Sequence, residues 1–280
     1  MKKEILKLIK TSLKEDIGKG DITTHATISK AKKAVGKLLV KDDGIIAGLE
    51  FAKAVFKALD PKIKFKIKIK DGSKVKKGDI VAEVSGKAVS LLSAERTALN
   101  FLQRMSGIAT FANIFLEKIK HTKTKILDTR KTVPSLRLID KMAVSIGGCE
   151  NHRLGLYDMF LIKDNHIEVA GSITKAVSDC VMYNKKHNKK FKIEVEAKNL
   201  EEVKEALKTK ADIIMLDNFE LTQLRNAVKL INGKCKTEAS GGVNLETIKE
   251  IAETGVDYIS VGALTHSVKA LDISFEVSIR

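Results

Sequence analysis

Five side chains that can carry positive charge, Arg130, Lys131, His152, Arg153 and Lys163, stand in three short polar stretches. These are Asp128-Thr129-Arg130-Lys131, Asn151-His152-Arg153 and Lys163-Asp164-Asn165-His166. Arginine presents a planar fork that matches carboxylate or phosphate, and lysine presents a compact charge. Such a cluster repels itself unless an anionic ligand or nearby carboxylates balance it. Glu196 and Asp217 are the candidates for that balance, and they could also hold a hard cation such as Mg²⁺, directly or through water. Glu194 is two residues from Glu196, so it shares a strand face with it and is the second choice. Further along, Ser240-Gly241-Gly242 precedes a helix, and Gly262 lies one unit later. Glycine lets backbone amides approach an anion, and helix N-termini favour negative charge, so the two stretches together predict a phosphate cradle. Taken singly, each charge reads as surface solvation, each glycine as a turn, and His152 as a satisfied structural hydrogen bond.

These residues sit at the ends of short apolar segments. Strands are expected at 125–128, 159–163, 191–196, 212–217, 235–240 and 257–262, with helices at 135–146, 172–188, 199–209, 220–231 and 244–254. Asn199, with Glu202 three residues on, marks a helix start. Such alternation implies a parallel sheet, either closed as a barrel or open and doubly wound in the flavodoxin manner. In a barrel, polar residues at successive strand ends converge on one mouth, and the late loops often bind phosphate. Before residue 110 the texture differs. An amphipathic N-terminal helix is followed by strands at 34–41, 62–70 (KIKFKIKIK, strictly alternating) and 79–85. A helical stretch over 91–119 is then expected to break near Ser106-Gly107.

The chain has 280 residues, 44% of them hydrophobic, enough for one large domain or two ordinary ones. The formal net charge of +16 raises nucleic acid as a partner, but the lysines are spread along the chain, Trp is absent and only three Tyr occur. Nucleic acid is therefore not expected. No apolar run approaches about 18 residues, so no membrane partner is expected either. The start MKKEILKLIKTSLKEDIG reads as a helix rather than a secretion signal. Cys149, Cys180 and Cys235 are odd in number and form no CxxC pair, which fits a reducing cytoplasm.

Six segments together resemble the quinolinate phosphoribosyltransferases, also called nicotinate-nucleotide pyrophosphorylases (carboxylating). They are AERTALNFLQRMSGIAT (94–110), DTRKTVPSLRLIDKMAV (128–144), GGCENHRLGLYDMFLIKDNHI (147–167), IEVEAKNLEE (193–202), IIMLDNF (213–219) and EASGGVNLETI (238–248). The resemblance spans nearly the whole chain, with least support over residues 1–90. It implies an α/β fold of two parts: an N-terminal α/β sandwich (1–110, with 270–280 returning to it) and an open α/β barrel (111–269) of the type II phosphoribosyltransferase kind. It implies that quinolinate and phosphoribosyl pyrophosphate (PRPP) give nicotinate mononucleotide, pyrophosphate and carbon dioxide, with Mg²⁺, in de novo NAD synthesis. It implies a homodimer, alone or within a hexamer, in which Arg96 of one subunit reaches the partner's barrel mouth. Arg96, Arg130, His152, Arg153 and Lys163 would hold the quinolinate carboxylates. Lys131 and Lys163 would lie near the pyrophosphate, and Glu196 and Asp217 would take ribose hydroxyls and Mg²⁺. Lys131, Glu196 and Asp217 would be the catalytic groups, and Ser240, Gly241, Gly242 and Gly262 would cradle the 5′-phosphate. Two departures stand out. Cys149-Glu150 replaces the usual small or apolar residues, placing a negative charge near the site, and Ser135 follows Pro134 where glycine is common. The alternative within the superfamily is a phosphoribosyltransferase with another acceptor, such as the homologue associated with molybdenum transport.

Overall fold

The computed structural model describes residues 3–279. Its contacts divide the chain into two units, 1–113 with 134–148 and 267–280, and 114–133 with 149–266.

The first unit starts with helices α1 (Lys3–Ile17) and α2 (Ile22–Thr27). Then come β1 (Lys33–Val40), β2 (Gly44–Ile45), α3 (Leu49–Leu59), β3 (Lys64–Ile67), β4 (Lys74–Val75), β5 (Ile80–Lys87) and the 32-residue α4 (Ala88–Ile119). Helix α5 (Arg137–Ile146) also groups here. An antiparallel sheet is completed by the C-terminal strand β12 (Ile273–Ile279), in the order β12-β1-β5-β3. One face of α1 (Ile5, Ile9, Leu13) and of α3 (Leu49, Ala52, Val55, Phe56) is buried, and Phe56 stacks at 5.4 Å on Phe275 of β12.

Three details differ from the sequence expectations. The KIKFKIKIK stretch pairs only over residues 64–67, because the next two amides, of Lys68 and Ile69, both donate to the Val81 carbonyl and the ladder ends there. Helix α4 runs unbroken through Ser106-Gly107. Gly107 is there for close approach, since a Cβ would stand 2.2 Å from the Lys269 carbonyl oxygen. Residues 134–148 group with the first unit rather than the barrel. Arg104 of α4 makes a bidentate pair with the fully buried Asp140 of α5 (2.9 and 2.8 Å), and Gly147 lies against Ala109. Ser135 has φ +68, the left-handed region that favours glycine.

The second unit carries a six-stranded parallel sheet. Its strands are β6 (Lys125–Leu127), β7 (Phe160–Ile162), β8 (Ile193–Ala197), β9 (Ile213–Asp217), β10 (Lys236–Ser240) and β11 (Tyr258–Ser260). Between and after them lie α6 (Asp164–Ala170), α7 (Ile173–Lys186), α8 (Leu200–Ala206), α9 (Leu221–Ile231), α10 (Ile248–Ala252) and α11 (Ala263–His266). The spatial order β7-β8-β9-β10-β11-β6 is that of a barrel, with the first strand beside the last, whereas a flavodoxin-like sheet would hold its first strand in the interior. The ring stays open between β6 and β7, and Glu150 makes one parallel bridge on the free side of β6. The fold is an open α/β barrel with an N-terminal sheet domain. Asn199 caps α8 by accepting from the Glu202 amide at 2.9 Å.

Candidate active site

The C-terminal strand ends of the second unit enclose a cavity of about 380 Å³. It is lined by Arg130, Lys131, His152, Arg153, Lys163, Asp217, Ser240, Gly241 and Gly242, so the structure brings together nine of the residues singled out from sequence. Gly262 lines an adjoining cavity of about 190 Å³ that shares Lys131, Ser240, Gly241 and Gly242. Glu196, 5% exposed, meets the site through Lys163, whose Nζ donates to its Oε2 at 3.0 Å. Arg96, an exposed residue of α4, is not among the lining residues.

Each side chain is held by its element. After β6, the Lys131 amide donates to Thr129 Oγ1 at 3.0 Å, and the Lys131 carbonyl accepts from Thr265 of α11 at 2.9 Å. Both contacts fix the loop that carries Arg130 and Lys131. The buried Asp128 accepts the His152 amide at 2.8 Å, and the Arg153 guanidinium donates to the Met159 carbonyl at 3.2 Å. Arg153 is 8% exposed, and burial together with the charge of Arg130 lowers its pKa. At the end of β9, Asn218 takes φ +55 and donates its amide to the Ser240 carbonyl at 2.8 Å. Gly241 and Gly242 both have positive φ, and a Cβ on Gly241 would stand 2.1 Å from Asn218 Oδ1. Successive amides in this conformation form a concavity suited to an anion.

His152 lines the cavity with both ring nitrogens close to protein groups. Its Nδ1 accepts the Arg153 amide at 2.7 Å, so the ring proton sits on Nε2. That nitrogen lies 3.0 Å from Glu194 Oε2 and 3.6 Å from Glu238 Oε2. With both nitrogens turned to the protein, His152 forms a wall of the cavity rather than one of its cations. Glu194 and Glu238 have no exposed surface, and none of their four oxygens has a well-directed hydrogen bond among the described residues. Burial raises both carboxyls above their ordinary range, and the Glu194 charge pushes Glu238 further up.

Sequence reading passed over Glu238, Ser260, Asn218 and His266, all of which line the two cavities. The signal for Glu238 was present: it precedes Ser240 by two residues on one strand and therefore shares its face. Neither residue of the departure at Cys149-Glu150 lines the cavities. Glu150 pairs with Lys125 at 2.6 Å and does not line the cavity, and burial pushes the Cys149 thiol up to about 12.

Glu196 and Asp217 suit a hard cation. Lys163 uses Glu196 Oε2 and Asn218 uses Asp217 Oδ2, so each carboxylate keeps its other oxygen for a ligand. Two protein carboxylates with the remaining positions left to water and substrate is the ligand set Mg²⁺ commonly takes.

Comparison with known proteins shows the family to which the chain belongs. Residues 21–106 match the family described as quinolinate phosphoribosyl transferase, N-terminal domain, and residues 108–276 match the C-terminal domain of the same family. A Nicotiana glauca protein named quinolinate phosphoribosyltransferase [decarboxylating] 1 is 48% identical over 96% of this chain and 81% of its own length. An Arabidopsis thaliana protein named nicotinate-nucleotide pyrophosphorylase [carboxylating], chloroplastic, is 48% identical over 96% of this chain and 82% of its own. The solved nicotinate-nucleotide pyrophosphorylase from Francisella tularensis superposes with a TM-score of 0.93 at 42% identity, covering 98% of this chain and 96% of that one.

Proposed function

The chain belongs to the quinolinate phosphoribosyltransferase family, and we propose that the cavity at its barrel mouth is where that chemistry takes place. The protein transfers the phosphoribosyl group of PRPP to quinolinate with decarboxylation, giving nicotinate mononucleotide, pyrophosphate and carbon dioxide for NAD synthesis. The observation that carries this reading is one cavity in which Arg130, Lys131, Arg153 and Lys163 face a glycine concavity at the late strand ends. Quinolinate is a dianion and PRPP carries a phosphate and a pyrophosphate, so both substrates need a cationic, partly water-excluded pocket. A phosphoribosyltransferase with a different acceptor is not favoured, since the Nicotiana glauca relative is named for quinolinate and decarboxylation and the Arabidopsis thaliana one for nicotinate nucleotide.

Arg130, Arg153 and Lys163 grip the quinolinate carboxylates, with His152 as the wall against which the ring lies. Lys131 and Lys163 face the pyrophosphate, and Ser240, Gly241, Gly242 and Gly262 cradle the 5′-phosphate. Glu196 and Asp217 orient the ribose hydroxyls and offset positive charge developing at C1. Glu196 and Asp217 would also hold Mg²⁺, which when bound would supply positive charge to offset that of the pyrophosphate. The pyridine nitrogen attacks C1 as pyrophosphate leaves, and the resulting ring cation then stabilises the electrons left when the adjacent carboxylate departs. Decarboxylation therefore follows ribosylation, and catalysis is mainly positioning and electrostatics.

Three finer points belong to the same proposal. The enzyme works as a homodimer, with exposed Arg96 supplying a further cation to the neighbouring copy's quinolinate. Its setting is a reducing one, the cytoplasm, in keeping with three free cysteines. No helix among the described residues is long and apolar enough to cross a membrane. A steady-state assay with PRPP and Mg²⁺, offering quinolinate or nicotinate, tests the reading. Quinolinate alone should turn over, with nucleotide and carbon dioxide in equal amounts. Turnover of nicotinate, or none of quinolinate, refutes it.

A further inference from the structure

The reaction leaves one chemical need unmet by the groups described so far. When carbon dioxide departs, C2 of the pyridine ring holds an electron pair and must acquire a proton. Resting on the function proposed above, we propose that Glu238 is the acid that protonates C2.

Placement is the first argument. Glu238 and Glu194 project from β10 and β8 into the barrel beneath the cavity, and Glu238 is the one that lines it. The quinolinate-gripping cations stand around the same space, so a ring bound there lies over this carboxyl. The second argument is electrostatic. The two glutamates and His152 Nε2 lie within 4.8 Å of one another, all buried. The groups facing Glu238 are His152, Glu194 and the Ser260 hydroxyl, while Arg153 and Lys163 favour a charged Glu194 and Glu196 opposes it, with burial the largest influence on both carboxyls. One imidazole N–H and one hydroxyl cannot support two adjacent buried anions, so the pair retains a proton. A metal ion is a poorer occupant, because His152 Nδ1 is an acceptor and the proton on Nε2 closes that nitrogen to a metal. The third argument is elimination among the other lining groups. Guanidinium groups are too weakly acidic to donate. The ammonium groups of Lys131 and Lys163 are weaker acids than a carboxyl, and Asp217 lies where the ribose is placed.

The step balances. The bond from C2 to its carboxyl carbon breaks and carbon dioxide leaves. The electron pair left on C2, beside the cationic ring nitrogen, takes the proton from the Glu238 carboxyl as that bond breaks, so carbon dioxide cannot depart ahead of the proton. The glutamate left behind faces His152 Nε2–H and Ser260, and water reprotonates it after the product departs.

Single-turnover rapid quench tests this, with the full chain in excess over quinolinate labelled in its 2-carboxylate, plus PRPP and Mg²⁺. Pyrophosphate and labelled carbon dioxide are measured in the same samples. The wild type should release both together. In Glu238→Gln, which keeps shape but cannot donate a carboxyl proton, carbon dioxide should lag pyrophosphate by roughly a hundredfold, the size of a general-acid contribution. Should that variant fail to fold, Glu238→Asp carries the test, because it withdraws the carboxyl by one methylene and should show a smaller lag in the same sense. Both products slowing together, or neither slowing, overturns the donor assignment while leaving the reaction intact. No pyrophosphate from the wild type overturns the reaction itself and the donor with it.

Discussion

Lys163 and Glu196 show how one ion pair can matter to binding and little to folding. The lysine side chain is 49% exposed and the glutamate 6%, at 3.0 Å. A pair half open to water contributes about 1 kcal/mol or less to stability. A substrate carboxylate that excludes that water gains a charge-assisted hydrogen bond worth about 1.5–3 kcal/mol, roughly tenfold or more in affinity. Lys163→Ala should therefore raise the KM for quinolinate at least about tenfold while lowering stability by under about 1 kcal/mol. Kinetics beside a denaturant titration will show whether the two effects separate, and a large stability loss with unchanged KM would contradict the assignment. Glu238 has the opposite character. Burial raises its folded-state pKa above the ordinary 4.5, so the folded protein holds a proton that the unfolded chain gives up. This contribution to stability is whole below pH 4.5 and is lost as the pH climbs through the raised folded value. Melting temperature should decline over that rise in the wild type, and the decline should be shallower in Glu238→Gln. Equal slopes would mean that Glu238 is charged in the fold.

At the scale of elements, the loop between β10 and α10 is the phosphate cradle of the function proposed above. Gly241 has φ +98, and a Cβ there would stand 2.1 Å from Asn218 Oδ1. Gly241→Ala must displace Asn218 or the concavity, and both belong to the PRPP end of the site. The KM for PRPP should rise by an order of magnitude or more while that for quinolinate changes little. Matched rises in both would place the loop elsewhere in the reaction. The strands were legible because each is an apolar run ending in distinctive polar residues, and the six expected segments lie within two residues of β6 to β11. The choice of a barrel over a doubly wound sheet came from the family resemblance. What stayed hidden depended on long-range contacts. Gly107 looks like a helix breaker in sequence, yet it is the one residue type that admits the Lys269 carbonyl beside α4. Helix α5 has the rhythm of a barrel helix, but the pairing of Asp140 with Arg104 groups it with the first unit. The carboxylates that face His152 Nε2, Glu194 and Glu238, come from β8 and β10, far along the chain. No local pattern encodes these partners.

For the whole molecule, the question is how many chains make one site. The net charge of +16 is spread over the sequence, so it draws in anionic substrates without defining a binding place. The cavity itself draws all its lining residues from the second unit of one chain. Arg96 is exposed on α4 and acts on quinolinate, in the reading proposed above, only from a neighbouring copy. That arrangement has a signature no single-chain site can produce. Arg96→Ala and Lys131→Ala should each be nearly inactive alone. In a mixed dimer, the chain bearing Arg96→Ala keeps its own Lys131 and receives an intact Arg96 from its partner, so one of the two sites is wholly wild type. After unfolding and refolding together in equal amounts, half the dimers are mixed and half of their sites are intact, which restores about a quarter of wild-type activity. Arg96 acting within its own chain, or not at all, predicts no gain on mixing. The outcome also bears on substrate choice: a cation delivered by the partner completes the carboxylate grip only in the assembled dimer, so quinolinate binding and dimer formation should strengthen each other.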